Sequence, residues 1–205
     1  MHGQGCSPGF AILTMHHVYK EIGCKPPTVL SGMGAIVGKP ELKDFLCIRV
    51  AGNEQMPLDF ASDYVKASRG PIKTFDYAIE SDQENWAIER KGLSDFISSF
   101  GITKNWQHEL AKVERAKVWG KPIIYVLEFH YDDIAKYDYA VFPSGRVTSQ
   151  FIHKRRAYLT YKHNVHFEFT GSREAAAYEI AVLLKQRHED LRALKLTGQA
   201  GSIHG

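Results

Sequence analysis

The sequence is short of cysteine, and the three it has, Cys6, Cys24 and Cys47, are odd in number and scattered. No CxxC pair occurs, so a structural zinc site lacks its usual ligand spacing. The same scatter offers no disulfide framework, which points to a reducing compartment, and a cytoplasmic chain is expected. No stretch approaches the roughly 18–20 apolar residues of a membrane span. The first residues lack the basic-then-apolar layout of a signal peptide, so no membrane partner is expected. There is no GxxxxGK[ST] loop, which excludes a P-loop nucleotide motor. Internal repeats and low-complexity blocks are absent too. Neither sign of charge dominates: the net charge is +3, which permits a nucleic-acid partner without requiring one.

What is present is one domain's worth of chain, 205 residues with a 44% apolar fraction. Residues 1–42 are rich in Gly and Pro and read as an irregular arm, with a short helix over Ala11–Gly23. A main domain is expected over 43–195 and a loose tail over 196–205. Within the main domain, Asp44–Gly52 reads as a strand and the stretch from Pro57 to Gly70 as a loop with room for a helical turn. Ile72–Ser81 alternates apolar and polar residues and reads as a second strand. The turn "DQE" then leads into a third strand, "NWAIERK", making a hairpin. Ser94 is placed as the N-cap of a helix through "DFISSF". Asn105–Gly120 reads as a helix with Trp106, Leu110, Val113 and Lys117 along one stripe. Pro122–Phe129 is nearly all apolar, as a strand buried on both faces should be. A helix over Arg146–Asn164, a strand over Val165–Thr170 and a long helix over Ser172–Leu194, capped by Ser172, complete the pattern. This order implies an α/β sandwich around a mixed sheet.

The chemistry concentrates in the hairpin. Side chains alternate along a strand, so Glu89 and Lys91 share one face and Arg90 takes the other. Asp76 lies on the preceding strand. Two carboxylates from neighbouring strands can converge on one hard cation such as Mg²⁺ or Mn²⁺, which needs few protein ligands. The Ile88 carbonyl is a further candidate ligand. Lys91 beside the ion would orient water or neutralise charge on a reacting phosphate. The cluster Lys154, Arg155 and Arg156, flanked by Phe151, His153 and Tyr158, is a candidate phosphate-contacting surface. Lys112, Arg115 and Lys117 are similar candidates on the preceding helix. Glu109 on that helix is a minor candidate for a water-mediated metal contact.

The stretch "FDYAIESDQENWAIERKGLSDFISSF" closely resembles the GDY…ERKxxxD signature of the XPF-type structure-specific endonucleases, a branch of the PD-(D/E)XK nucleases. The matching residues are Asp76-Tyr77, Ala87-Ile88-Glu89-Arg90-Lys91 and Asp95. The resemblance covers about residues 44 to 190 and is nearest to small phage and bacterial members. It implies a restriction-endonuclease-like mixed sheet flanked by helices. Asp76 and Glu89 would then be metal ligands and Lys91 the catalytic lysine. Arg90 would be a structural or DNA-contacting partner on the other face, and Asp95 would support the site by pairing with a basic residue. The implied activity is Mg²⁺- or Mn²⁺-dependent endonucleolytic cleavage of branched or junction DNA, by a chain associated with nucleoid or viral DNA. Pairing of nuclease domains into a homodimer is implied as well.

Three departures bear on that reading. The family opens with Asp-x-Arg-Glu at the end of its first strand, where this chain has Ala51, Asn53 and Glu54. One acid is missing unless Glu54 or Asp59 substitutes. Phe75 stands where the family has a glycine. Nothing after Leu194 reads as the helix-hairpin-helix module of many relatives. These departures leave a second expectation open: a catalytically weakened nuclease fold retained as a DNA-binding or partner-docking module.

Overall fold

The computed structural model describes residues 45–60, 64–142 and 145–196. The expected arm over 1–42, with Cys6, Cys24, His16 and His17, lies outside the described residues, and so does the tail beyond Leu196.

Six strands form one mixed sheet: β1 (Leu46–Ala51), β2 (Val65–Gly70), β3 (Tyr77–Ile79), β4 (Ile88–Lys91), β5 (Ile123–Leu127) and β6 (Val165–Phe169). The helices are α1 (Leu93–Gly101), α2 (Thr103–Ala116), the single turn α3 (Asp133–Lys136), α4 (Ser149–His163) and α5 (Arg173–Leu196). Strand order is β2-β1-β3-β4-β5-β6. Pairing is parallel for β1 with β2 and for the β4, β5 and β6 run, and antiparallel for β1 with β3 and β3 with β4.

Two apolar clusters lie on the two faces of this sheet. Ala87, Tyr125, Leu127 and Val165 face one core with Phe96, Phe100, Trp106, Ile152 and Leu159 from α1, α2 and α4. Leu46, Ile48, Val50, Ile88 and Val126 face the other, with Ala176, Ala177, Ile180 and Leu184 of α5. Alternation of side chains along β5 serves both cores, which is why its sequence is almost unbroken hydrophobe. The stripe on α5 is therefore core. A buried side chain of this size contributes about 1.5–3 kcal/mol, so β4 is clamped from both faces.

Several boundaries differ from the sequence reading for local reasons. The loop expected before Gly70 contains β2, whose "KASRG" is polar throughout. It is an exposed edge strand held by backbone pairing to β1, and an edge needs no apolar alternation. The second strand shrinks from Ile72–Ser81 to three residues, because Phe75 takes a left-handed backbone (φ 75°) and turns the chain out of the ladder. Helix α1 is N-capped by Gly92, without a side-chain bond, rather than by Ser94. Along α2 the buried positions are Trp106, Glu109, Val113 and Ala116. Leu110 is half-buried, and Lys117 has left the helix for a short 3₁₀ turn. Helix α4 starts at Ser149, where Thr148 accepts a bond from the Phe151 amide at 3.2 Å, and ends at Asn164 with φ 53°. Ser172 caps α5 as expected, accepting from the Ala175 amide at 3.1 Å.

Candidate active site

Strand β4 carries the site because its alternation sends charged residues to opposite sides of the sheet, each side at the edge of an apolar core. On one side stands Arg90. It donates to Glu54 at 2.9 Å and to Glu128 at 2.7 Å. Arg173 joins Glu128 at 3.1 Å and donates to the Met56 and Pro57 carbonyls at 2.6 and 2.8 Å. Two guanidinium groups therefore balance two carboxylates and tie the loop after β1 to the start of α5. The flanking carboxylates hold the Arg90 guanidinium firmly charged against the pull of burial. Glu54 also accepts from the Met56 amide at 2.9 Å. It is thus committed to Arg90 and its own loop, and does not replace the missing first acid. Asp59, the other possible substitute, is exposed.

Glu89 and Lys91 face α2, and both are buried, at 3% and 4% exposure. Lys91 Nζ lies 3.2 Å from Glu89 Oε1, 3.3 Å from Asp95 Oδ2 and 3.3 Å from Glu109 Oε1. Lys112 reaches in from α2, touching Glu89 Oε1 and sitting 3.0 Å from Glu109 Oε1. Tyr125 donates to Glu109 Oε2 at 2.9 Å. Burial pulls the Lys91 ammonium down, but Glu89, Glu109 and Asp95 together push it well above its ordinary value. It stays charged across neutral pH, and so acts as a fixed cation rather than as a base.

Asp76 sits at the end of the hairpin. Its amide donates to the Ile88 carbonyl at 3.0 Å, and its Oδ2 accepts from the Arg90 amide at 2.9 Å. Desolvation and the nearby Glu89 charge raise its pKa well above the ordinary carboxylate value. The Ile88 carbonyl accepts the Asp76 amide in the hairpin, which engages one of its two lone pairs. Ala51 donates its amide to the Asp76 carbonyl at 2.8 Å and is 1% exposed. The position matched to the family's first acid thus lies against Asp76, and a methyl group fills it.

The site has features suited to a small divalent ion. Glu89 Oε2 is buried and has no hydrogen-bond partner. An unmet carboxylate oxygen beside a second carboxylate is a strained arrangement that a cation relieves. Among the described residues, no group of three or more His, Cys, Asp or Glu side chains is gathered at metal-holding spacing. Asp76 and Glu89 are hard oxygen donors, few in number, of the kind used by an ion that keeps its other positions for water and phosphate.

The chain matches the ERCC4 domain over residues 44–183. It belongs to the ERCC4 domain family. The fold is that of an XPF-type nuclease domain: XPF from Aeropyrum pernix superposes with a TM-score of 0.51 at 16% identity, over 77% of this chain and 75% of that one. The same protein solved in complex with DNA gives 0.52 at 18% identity, over 70% and 66%. No curated protein sequence matches the chain.

Against that family pattern, the glycine-to-Phe75 change acquires a physical meaning. A left-handed φ suits glycine and strains a bulky residue, by about 1–3 kcal/mol. Phe75 is held there by edge-on contacts to Trp119 and Tyr125, each with ring centroids 5.6 Å apart. Nothing in the local sequence marks Tyr125 and Glu128 as parts of the site, and Lys112 reads there only as a candidate phosphate contact. Only their positions one helix or strand away bring them in, although "ELAK" does place Glu109 and Lys112 at helical i,i+3 spacing. The three α4 cations point in different directions. Lys154 is exposed. Arg155 donates to the Phe100 carbonyl at 2.6 Å, and Arg156 packs 5.4 Å from the Tyr131 ring centroid.

Proposed function

We propose that this ERCC4 domain is a divalent-metal-dependent DNA endonuclease. The observation that carries the proposal is the unmet, buried Glu89 Oε2 beside Asp76, on the face where Lys91 is locked by three carboxylates. Asp76 and Glu89 would hold one Mg²⁺ or Mn²⁺ ion. That ion supplies the Lewis acidity that phosphodiester hydrolysis needs. Lys91 presents a permanent positive charge to the scissile phosphate and stabilises charge that develops on it. Asp95 and Glu109 keep the Lys91 ammonium in place, and the Tyr125 hydroxyl fixes Glu109. Lys112 occupies Glu89 Oε1 and must swing away or share that oxygen when an ion binds.

Branched or junction DNA is the substrate the family likeness favours, with two copies pairing through their nuclease domains. Sedimentation velocity measures the pairing. Cleavage of forked, flapped and linear DNA in Mg²⁺ and Mn²⁺ tests the chemistry. Cutting by the parent chain that disappears in Glu89→Gln and in Lys91→Ala supports the enzyme. A second reading, a binding module with a weakened site, has its own observation: Ala51 is buried where the family carries its first acid, and Lys112 takes the place next to Glu89. Tight DNA binding with no cutting at high protein and Mn²⁺ selects that reading.

A further inference from the structure

Helix α4 carries Lys154, Arg155, Arg156 and Lys162 and no carboxylate. Among the described residues none of these four cations is salt-bridged. Between α4 and α2 runs a cleft of about 310 Å³ lined by Trp106, Leu110, Phe151, Lys154, Arg155 and Tyr158. That volume is at the lower end of ligand-sized clefts, which run roughly 300–1,000 Å³. Three aromatic rings and an aliphatic side chain form its lining, with an exposed ammonium at its rim. The Arg155 guanidinium lies 4.9 Å from the Trp106 ring centroid and 4.3 Å from that of Phe151. Trp106 and Tyr158 meet edge-on at 6.2 Å. Tyr158 is 46% exposed and Tyr161, one turn on, is 83% exposed with Lys162 beside its ring.

We infer that this face is a stacking platform for single-stranded DNA. Two exposed tyrosine rings, Tyr158 and Tyr161, beside cations that no carboxylate neutralises and backed by the buried Trp106, match a ligand with flat apolar faces and a polyanionic backbone. A protein partner would be expected to answer the cations with acids and bury the tyrosines, and a duplex hides its base faces. The platform shares α2 with the candidate active site. Trp106 and Leu110 line it, while Glu109 and Lys112 on the adjacent stripe reach the acids. At 1.5 Å rise per residue, Trp106 and Lys112 are about 9 Å apart along the axis, roughly two to three nucleotides at the 3.4 Å spacing of a stacked strand. The inference rests on the nuclease reading for its context: the platform would hold the unpaired arm of a branched substrate next to the scissile phosphate.

The test uses the full chain in EDTA, so that nothing is cut. A fluorescein-labelled oligothymidylate of about 16 nucleotides and a blunt duplex of equal length are titrated by anisotropy. A second oligonucleotide carries 2-aminopurine, whose fluorescence falls on stacking. The parent should bind the single strand more tightly than the duplex and quench 2-aminopurine. Lys154→Glu with Tyr158→Ser should weaken single-strand binding roughly tenfold or more and remove the quench, with an unchanged melting temperature. Tyr158→Phe should retain both, because stacking needs the ring and not the hydroxyl. Equal single-strand binding by parent and double variant overturns the inference. So does the absence of quenching, or a dimer in sedimentation that the double variant dissolves. A chain that stacks single strands but never cuts leaves this inference standing while the catalytic reading fails. A chain that cuts but does not stack overturns this inference and leaves the catalytic reading intact.

Discussion

The two faces of β4 hold buried charge in opposite ways. On the Arg90 face, Glu54 and Glu128 meet Arg90 and Arg173, two acids against two bases. On the Glu89 face, the buried Glu89 and Glu109 meet Lys91 and Lys112, the exposed Asp95 reaches Lys91 from the rim, and Asp76 adds a third buried acid close enough to feel the Glu89 charge. One carboxylate there is pushed toward its protonated form, and one carboxylate oxygen has no partner. A balanced network holds parts together. An acid-rich one is left in want of a cation, which is how a binding site is distinguished from a buttress.

Breaking the comparison outright gives the largest expected effects. Glu89→Gln or Lys91→Ala should reduce DNA cleavage on the order of 10³-fold, measured by single-turnover gel assay on protein shown to be folded by circular dichroism. Cutting at parental rates by either variant removes the site from the mechanism. Arg90→Ala should act on folding instead. It strands Glu54 and Glu128 and should lower unfolding free energy by about 3–5 kcal/mol, read by urea titration. A stable but inactive Arg90→Ala would make Arg90 a site residue and dissolve the contrast.

Smaller effects sharpen it. Lys112→Met removes a cation that competes for Glu89, so Mn²⁺ should bind roughly fivefold more tightly or better, followed by calorimetry or electron paramagnetic resonance. Weaker binding would mean that Lys112 helps to build the site rather than fill it. Asp76→Asn should raise the melting temperature of the metal-free chain while impairing cleavage. The sign follows from the raised pKa. Below the ordinary carboxylate value, folded and unfolded chains are both protonated and the full contribution is present. As pH rises toward the folded-state value the unfolded chain ionises first, so stability falls. Thermal melts in EDTA across that window should slope downward in the parent and flatten in Asp76→Asn.

The smallest effect concerns the backbone that presents Asp76. Phe75→Gly and Phe75→Ala both lose the ring contacts, but only glycine is at ease at φ 75°. The glycine variant should be the more stable by about 1 kcal/mol, the reverse of the order expected in a helix or strand interior. An alanine variant at least as stable as glycine would show that the turn relaxes when the ring is gone.

Most of the Glu89 face was legible in the chain because it is local. Glu89, Lys91 and Asp95 fall within seven residues, and strand alternation followed by one helical turn places them together. Asp76 followed from the hairpin. Glu109 was legible only as a neighbour on the next helix, and its role in bracing Lys91 was not. The Arg90 partners were half-seen: Glu54 came from the family likeness, while Glu128 and Arg173 come from another strand and the last helix. The α4 cluster was legible in composition but not in direction. Three consecutive basic residues look like one surface, yet a helix turns about 100° per residue, so Lys154, Arg155 and Arg156 point to solvent, to the end of α1 and to the Tyr131 ring. Polar β2 gave no strand signal, because an edge strand is specified by its neighbour's open backbone groups and not by its own side chains.

The amino-acid sequence by itself determined the alternating charged strand, the hairpin that delivers an aspartate to it, the buried β5 and the amphipathic helices, since each depends on periodicities of two or 3.6 residues within short windows. Only the tertiary structure decided that Lys112 stands beside Glu89, that Glu54 is engaged by Arg90, and that Phe75 bends the chain against its own preference. Those outcomes depend on which side chains from distant segments share one dry volume, where an unpaired charge is too costly to leave alone and a large ring can hold a strained backbone in place.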